Sequence, residues 1–175
     1  MFEKFRSAAL ALSVFVILLG IGAYVMVQMG GGDKLFGGKD GSLPPVDFGT
    51  LDRSFDDPSF LLCAKDVCPN ADVDGPAPRF EVDAQALRLA IVDFADNMPT
   101  VSTFRFDPMN NQFDFTERLP GESLPSVITV RITDVDGYTS TLAIYSRTPV
   151  GNSSAADHEK RVTRWLRMIE TRLGQ

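Results

Sequence analysis

This sequence has few histidines and cysteines, and its net charge is negative. It has one histidine and two cysteines, and its 17 lysines and arginines stand against 23 aspartates and glutamates, a net charge of −6. An acidic chain is a poor partner for nucleic acid, whose phosphates are bound by basic side chains. The few histidines and cysteines would leave a four-ligand zinc site with an unusual donor set. Asp134 and Asp136 before Gly137 resemble part of a calcium loop, but its further ligands are missing, so they predict a turn. We expect no nucleic-acid partner, no metal and no cofactor.

Recognisable catalytic motifs are missing as well. The single histidine, His158, follows Asp157, and Ser146, Ser153 and Ser154 lie nearby in the sequence. These residue types suggest a Ser-His-Asp arrangement, but no G-x-S-x-G nucleophile elbow is present. A histidine at the start of a helix is commonly exposed to solvent. We therefore assign no catalytic residue from the sequence.

The segment from residue 7 to residue 29 has no charged residue and is long enough, as a helix, to cross a bilayer. Lys4 and Arg6 precede it, which favours a cytoplasmic N-terminus. A cleavable signal peptide is an alternative, although residues 21–23 make a poor cleavage site. A buried core helix is a further alternative. We predict that residues 1–29 form a signal-anchor, a single transmembrane helix in the inner membrane, which places the rest of the chain in the periplasm.

The region after this segment is rich in glycine and ends with two prolines. Such a composition cannot bury enough apolar surface to fold by itself, so residues 30–49 predict a flexible linker. Residues 50–175 are long enough to bury one hydrophobic core. They predict a single extracytoplasmic domain.

The two cysteines, Cys63 and Cys68, are separated by four residues, which is not the C-x-x-C spacing of redox centres or zinc ribbons. A disulfide that closes a short loop in an oxidising compartment is the simplest interpretation. Free or buried thiols, and a redox or metal-binding role, are the alternatives.

Two stretches have apolar residues at helical spacing. The first begins after Asp83, a suitable N-cap, and ends before Pro99, which predicts a helix of about 13 residues. The second closes the chain, with Asp157 near its start and Gly174 at its end. The two apolar stripes comprise Leu87, Ala90, Ile91 and Phe94, and Val162, Trp165, Leu166, Ile169 and Leu173.

Between these stretches the apolar period changes to two, which predicts four strands joined by turns at residues 107–111 and 134–137. The alternating positions are Phe104 and Phe106, Phe113 and Phe115, Ile128, Val130 and Ile132, and Leu142 and Ile144. Four such strands make an antiparallel meander with one apolar and one wet face. We predict an α+β domain of two layers, in which both helices cover the apolar face of this four-stranded sheet.

Several segments resemble a known family. They are STLAIYSRTPVG and RVTRWLRMIE near the end, and upstream CAKDVCPN, DVDGPAPRFEVDAQALR, MPTV, QFDFTERLP and LPSVITVRI. Together, from Leu61 to Glu170, they resemble the bacterial and plastid family catalogued as domain of unknown function 1499. The resemblance implies an exported, often membrane-anchored α+β domain with no established activity. The chain departs from the family pattern at Ser126, at Ser153 and Ser154, and at His158.

Arg147 ends the last predicted strand, close in sequence to the start of the last helix. Backbone N–H groups at a helix start favour an anion. We predict a pocket for a carboxylate or phosphate headgroup, formed by Ser146, Arg147, Ser153, Ser154 and Arg161. The alternative is that Arg147 pairs with a carboxylate at the edge of the core and fixes the last helix.

The outer face of the last helix carries Lys160, Arg164 and Arg167. This face is either solvated or in contact with anionic headgroups or an acidic partner. Taken together, the sequence predicts a membrane-anchored periplasmic module that binds or assembles with an envelope protein or a lipid headgroup and has no enzymatic activity. The alternatives are an envelope hydrolase, a small-ligand or lipid-headgroup binding protein that uses the Ser/Arg pocket, and a redox protein that uses the cysteines.

Overall fold

The computed structural model describes residues 43–149 and 153–174. The chain divides into two compact units, Met1–Pro45 and Val46–Gln175, and all the elements below belong to the second. The anchor predicted at residues 1–29 and most of the predicted linker lie outside the described residues. Within the described ranges, no helix is both long and apolar enough to cross a membrane.

The second unit is an α+β fold built on one antiparallel sheet. Its elements in chain order are β1 (Ser59–Leu62), β2 (Arg79–Phe80), α1 (Ala84–Asp96), β3 (Val101–Asp107), β4 (Gln112–Glu117), β5 (Ser126–Asp134), β6 (Ser140–Arg147) and α2 (Ala155–Leu173). The strand order is β1-β6-β5-β4-β3, and β2 also pairs with β6. The prediction of an α+β domain with an antiparallel sheet and two helices is confirmed.

The sheet is larger than the predicted meander, which corresponds to β3 to β6. It has six strands because β1 and β2 both pair antiparallel with β6, on the side away from β5. β1 has four residues and β2 has two. Strands this short give too little alternation to be recognised in the sequence.

Capping residues mark the start of both helices and the end of α2. The Asp83 side chain accepts hydrogen bonds from the backbone N–H groups of Gln85 and Ala86, both at 2.8 Å. Ser154 and Asp157 form a reciprocal capping box at the start of α2. α2 ends at Gly174, whose φ of 72° lies in the left-handed region that glycine adopts at little cost.

The main hydrophobic core lies between the sheet and the two helices. Trp165 of α2 is its centre, with ring centroids 4.7 Å from Phe94 and 5.3 Å from Phe115. The other fully buried members include Leu87, Ile91, Ile128, Val130, Leu142, Ile144 and Ile169. The apolar positions predicted to face the helices on β4, β5 and β6 are therefore buried there.

The opposite face of the sheet, predicted to be exposed to solvent, is partly buried. Since side chains alternate along a strand, Ala143 and Tyr145 of β6 face away from the helices. They belong to a second hydrophobic cluster, which also contains Val46, Phe48, Leu61, Cys63, Cys68 and Ala71. The predicted Cys63–Cys68 disulfide is confirmed, and it lies in this cluster.

The compact unit begins inside the predicted linker of residues 30–49. Phe48 is fully buried in the second cluster, and the backbone carbonyl of Val46 accepts a 2.8 Å hydrogen bond from Gln112 Nε2. Arg53, which is 3% exposed, holds the following segment through an ion pair with Asp74 at 2.7 Å. The start of the compact unit therefore lies at Val46 rather than at residue 50.

Phe48→Ala tests whether this N-terminal segment is part of the core. We expect the free energy of unfolding in urea to fall by about 3–5 kcal/mol, the usual cost of removing a buried phenyl ring. Phe55→Ala, at a ring that is 62% exposed, is the matched control and should change stability by no more than about 0.5 kcal/mol. Equal effects of the two substitutions would contradict the burial of Phe48.

Candidate functional site

The helix-covered face of the sheet is polar at one end. Glu117 ends β4 in phase with the buried Phe113 and Phe115, and Ser146 lies near the end of β6 in phase with Ile144. α2 lies over this end with His158 and Arg161, one turn before Trp165. Glu117, Ser146 and His158 are 0% exposed and Arg161 is 2% exposed. We call Glu117, Glu122, Ser126, Ser146, Thr148, Ser153, His158, Arg161 and Arg164 the polar cluster.

His158 is hydrogen-bonded through both ring nitrogens. Its Nδ1 lies 2.8 Å from Ser146 Oγ and 3.5 Å from Arg161 Nη1. An arginine only donates, so Nδ1 is the acceptor and the ring proton lies on Nε2, 3.4 Å from Thr148 Oγ1. Burial disfavours the charged ring and the nearby Arg161 repels it, which together lower the pKa of His158 to about 4. The ring is therefore neutral at neutral pH.

Three hydroxyl groups continue this network away from the histidine. Thr148 Oγ1 donates to Ser153 Oγ at 3.0 Å, and Ser126 Oγ lies 2.9 Å from Thr148 Oγ1. These contacts connect the start of β5, the end of β6 and the residue before the N-cap of α2. The network thus fixes the first turn of α2 against the sheet.

Two arginines and two glutamates form the charged part of the polar cluster. Glu117 Oε2 accepts from Arg161 Nε at 2.9 Å and from Arg164 Nη2 at 2.6 Å. Arg161 Nη2 also donates to Glu122 Oε1. The four formal charges cancel, which is the condition under which charges are tolerated in an interior. Glu117 Oε1 and Trp165 Nε1 are buried and have no hydrogen-bond partner among the described residues.

The predicted pocket of five residues is divided by the fold. Ser146, Ser153 and Arg161 lie together in the polar cluster. Arg147 follows Ser146 on the strand and so lies on the opposite face, with its guanidinium 5.8 Å from the centre of the Tyr145 ring. Ser154 caps α2 and is exposed.

The sequence also offered Arg147 as an ion-pair partner that fixes the last helix. Another residue makes this contact. In the described part of the chain no carboxylate pairs with Arg147, and its buried Nε has no hydrogen-bond partner. Arg161 instead pairs with Glu117 and Glu122, and Arg164 pairs with Glu117, which holds α2 against the sheet. The sequence analysis did not identify Glu117 as a functional residue. Its position in the same alternation as Phe113 and Phe115 could have indicated a charged side chain on the buried face of the sheet.

The Ser-His-Asp arrangement considered above is not assembled as a triad. The Asp157 carboxylate accepts from the backbone N–H of Ser154 at 3.1 Å and from its hydroxyl at 2.7 Å, and it makes no hydrogen bond to His158. Ser146 is hydrogen-bonded to His158 but fully buried. A substrate would have no direct access to the Ser146 hydroxyl.

The aspartates considered as calcium ligands hold a turn. Asp134 Oδ1 accepts from the backbone N–H of Gly137 at 2.7 Å, and Asp136 Oδ1 accepts from those of Tyr138 and Thr139. Among the residues that the structure describes, no group of three or more histidine, cysteine, aspartate or glutamate side chains is placed to hold a metal ion.

The outer face of α2 has a shallow, partly basic depression. Its volume is about 420 Å³, and it is lined by Glu159, Lys160, Thr163, Arg164 and Arg167. Arg164 belongs both to this depression and to the polar cluster, because its guanidinium borders the depression and donates to the buried Glu117.

Comparison with known proteins adds no functional assignment. No protein-family model and no curated protein matches the sequence. Five solved chains share a distant similarity, and two of them are given as examples. The crystal structure of Ara h 8.0201 is 10% identical, with 67% of this chain and 98% of that chain covered and a TM-score of 0.42. The Zhui aromatase/cyclase from Streptomyces sp. R1128 is 11% identical, with 55% and 84% covered and a TM-score of 0.32. Similarity at this level supports no inference about function, and the resemblance to domain of unknown function 1499 stays a prediction.

The lowered pKa of His158 predicts a pH-dependent stability. Since the pKa is about 4 in the folded chain and 6.5 ordinarily, the unfolded chain binds more protons between these values. The free energy of unfolding should therefore be greatest above pH 6.5 and fall by roughly 2–3 kcal/mol as the pH decreases towards 4. Urea unfolding from pH 4.5 to 7.5 measures this slope.

His158→Gln is the matched variant for that experiment. It should remove most of the change in the free energy of unfolding between pH 4.5 and 7.5. The lowered pKa values of Asp107, Asp136 and Asp157 affect stability mainly below about pH 5, at the acid end of this range and beyond it. Because His158 is the single histidine, its pKa can also be read directly by NMR. A pKa near 6.5 would contradict the buried, neutral ring.

Proposed function

We propose that this chain is a membrane-anchored, periplasmic binding or assembly module of the cell envelope and has no catalytic activity. The observation that supports it most is the Cys63–Cys68 disulfide, which lies in a buried cluster and involves both cysteines of the chain. Disulfides of this structural kind persist in oxidising compartments. The uncharged segment of residues 7–29, with basic residues before it, would serve as the inner-membrane anchor.

A binding role is favoured over hydrolysis by the geometry of the polar cluster. The Ser146–His158 contact resembles a nucleophile and its base, but both side chains are fully buried and Asp157 is engaged in the helix cap. A hydrolase needs an accessible nucleophile and donors that stabilise the oxyanion. The network instead satisfies buried polar groups and positions α2.

The outer surface of α2 is the surface that we assign to an envelope partner or lipid headgroup. Lys160 and Arg167 are exposed on it, in a chain whose net charge is −6. A basic patch on an acidic protein directs an anionic partner to one side of the molecule. Such contacts weaken as ionic strength rises.

The proposed location can be tested with reporters fused to the C-terminus of the full chain. In a bacterial host, an alkaline phosphatase fusion should be active, because that enzyme requires the periplasm to form its own disulfides, and a green fluorescent protein fusion should be dark. The same fusions without residues 1–29 are the control and should show the opposite pattern. A fluorescent, phosphatase-negative full-length fusion would overturn the proposed location.

Labelling with a fluorophosphonate tests the hydrolase alternative. We expect no labelling of the folded protein at Ser146, because its hydroxyl is buried and donates to His158. Ser146→Ala and a serine hydrolase of known activity are the negative and positive controls. Stoichiometric labelling that Ser146→Ala abolishes would establish a reactive serine and exclude a purely binding role.

A further inference from the structure

Arg161 is a buried cation between two carboxylates that differ in accessibility. Glu117 comes from β4 and its side chain is 0% exposed, whereas Glu122 lies in the loop between β4 and β5 and its side chain is 27% exposed. Glu117 is therefore the permanent partner of the guanidinium. Glu122 approaches it from the surface side.

The loop that carries Glu122 has few connections to α2. Its hydrogen bonds are largely internal: the N–H of Glu122 donates to the Leu119 carbonyl, and Glu122 Oε2 accepts from the N–H of Leu119 at 2.9 Å. Within the described residues, the Arg161–Glu122 contact is the one hydrogen bond or ion pair between the loop of residues 118–125 and α2. Withdrawal of this carboxylate from Arg161 would leave the strands and α2 intact.

Two unsatisfied polar atoms lie in the same region. Glu117 Oε1 is an acceptor without a donor, and Trp165 Nε1 is a donor without an acceptor, among the described residues. Glu117 is bonded to Arg161, and Trp165 follows Arg161 by one helical turn. Buried polar atoms are normally hydrogen-bonded, so each one without a partner calls for an explanation.

We propose that Arg161 is the binding site for a small monocarboxylate ligand that also carries a hydroxyl group, and that Glu122 occupies this site as an internal carboxylate until the ligand displaces it. The ligand carboxylate would take the place of Glu122 on the guanidinium. Its hydroxyl group would donate to Glu117 Oε1. This inference rests on the proposed binding role and names the chemical class of ligand for it.

The charge balance of the site and the competition with Glu122 both restrict which ligands can bind. Arg161, Arg164, Glu117 and Glu122 are formally neutral together, and exchange of one monocarboxylate for another preserves that balance. A phosphate dianion would leave an excess negative charge in a buried site, which is costly. A tethered group such as Glu122 also acts at a high effective concentration, so a carboxylate without a second contact would not displace it.

Glu122→Ala in the full chain, purified in mild detergent, opens the proposed site. Glycolate, which has a carboxylate and a hydroxyl, is the main probe; acetate, phosphate and chloride at equal ionic strength are the comparisons. Trp165 is the single tryptophan and reports on the site by fluorescence. We expect a lower Tm than wild type, a saturable fluorescence change with glycolate, and a Tm increase of about 3 °C at ten times its dissociation constant.

The comparisons separate the proposal from simpler explanations. Acetate should bind at least about threefold more weakly than glycolate, because it lacks the donor for Glu117 Oε1, and phosphate should have no more effect than chloride. A lower Tm with no carboxylate-specific recovery would show that Glu122 is only a structural ion-pair partner. Equal effects of all anions would show an adventitious anion site. Either result overturns the proposal.

Control variants keep the test decisive. Glu81→Ala removes an exposed carboxylate without an ion pair in the described structure and should give no glycolate effect. Glu122→Gln is the second variant if Glu122→Ala does not fold, and it should also bind glycolate saturably; failure of both to respond contradicts the site. A cytoplasmic reporter fusion would overturn the proposed location without changing this titration, so the two failures are distinguishable.

Discussion

The fold depends on how one buried positive charge, that of Arg161, is neutralised. An arginine withdrawn from water is stable only if carboxylates and hydrogen-bond acceptors replace its hydration. Glu117 supplies this at the end of β4, and the resulting ion pair joins residues 44 positions apart in the chain. The same guanidinium disfavours a second charge beside it, which contributes to the low pKa of His158. One interaction therefore places α2 on the sheet and adds to the effect of burial that keeps the neighbouring His158 neutral.

The inward face of α2 has a polar part and an apolar part with different roles. His158 and Arg161 lie in its first two turns and make directional contacts with the sheet. Trp165 and Ile169 follow and pack without directional requirements against the main core. Apolar packing tolerates small shifts of a helix, whereas hydrogen bonds and ion pairs require a defined geometry. The polar cluster therefore specifies the position of α2 more narrowly than apolar burial alone.

The regular parts of the fold were predictable because they repeat. Alternation revealed β3 to β6, and helical spacing revealed α1, with Asp83 as its predicted cap, and α2. β1 was missed because four residues are too few for a period to appear, and Phe48 because glycines and prolines precede it. Strand alternation alone places Ser146 and Arg147 on opposite faces, so that part of the pocket prediction was avoidable. The contact of Arg161 with Glu117 was not predictable, since no local pattern relates such distant residues.

The sheet separates two hydrophobic compartments. β6 contributes Leu142 and Ile144 to the core under the helices and Ala143 and Tyr145 to the cluster that contains the disulfide. The covalent bridge lies wholly on one side of this partition, in a segment whose strand β1 pairs with the edge of β6. Loss of the bridge would therefore loosen the N-terminal layer first, while the helical layer and its charged network keep their own support.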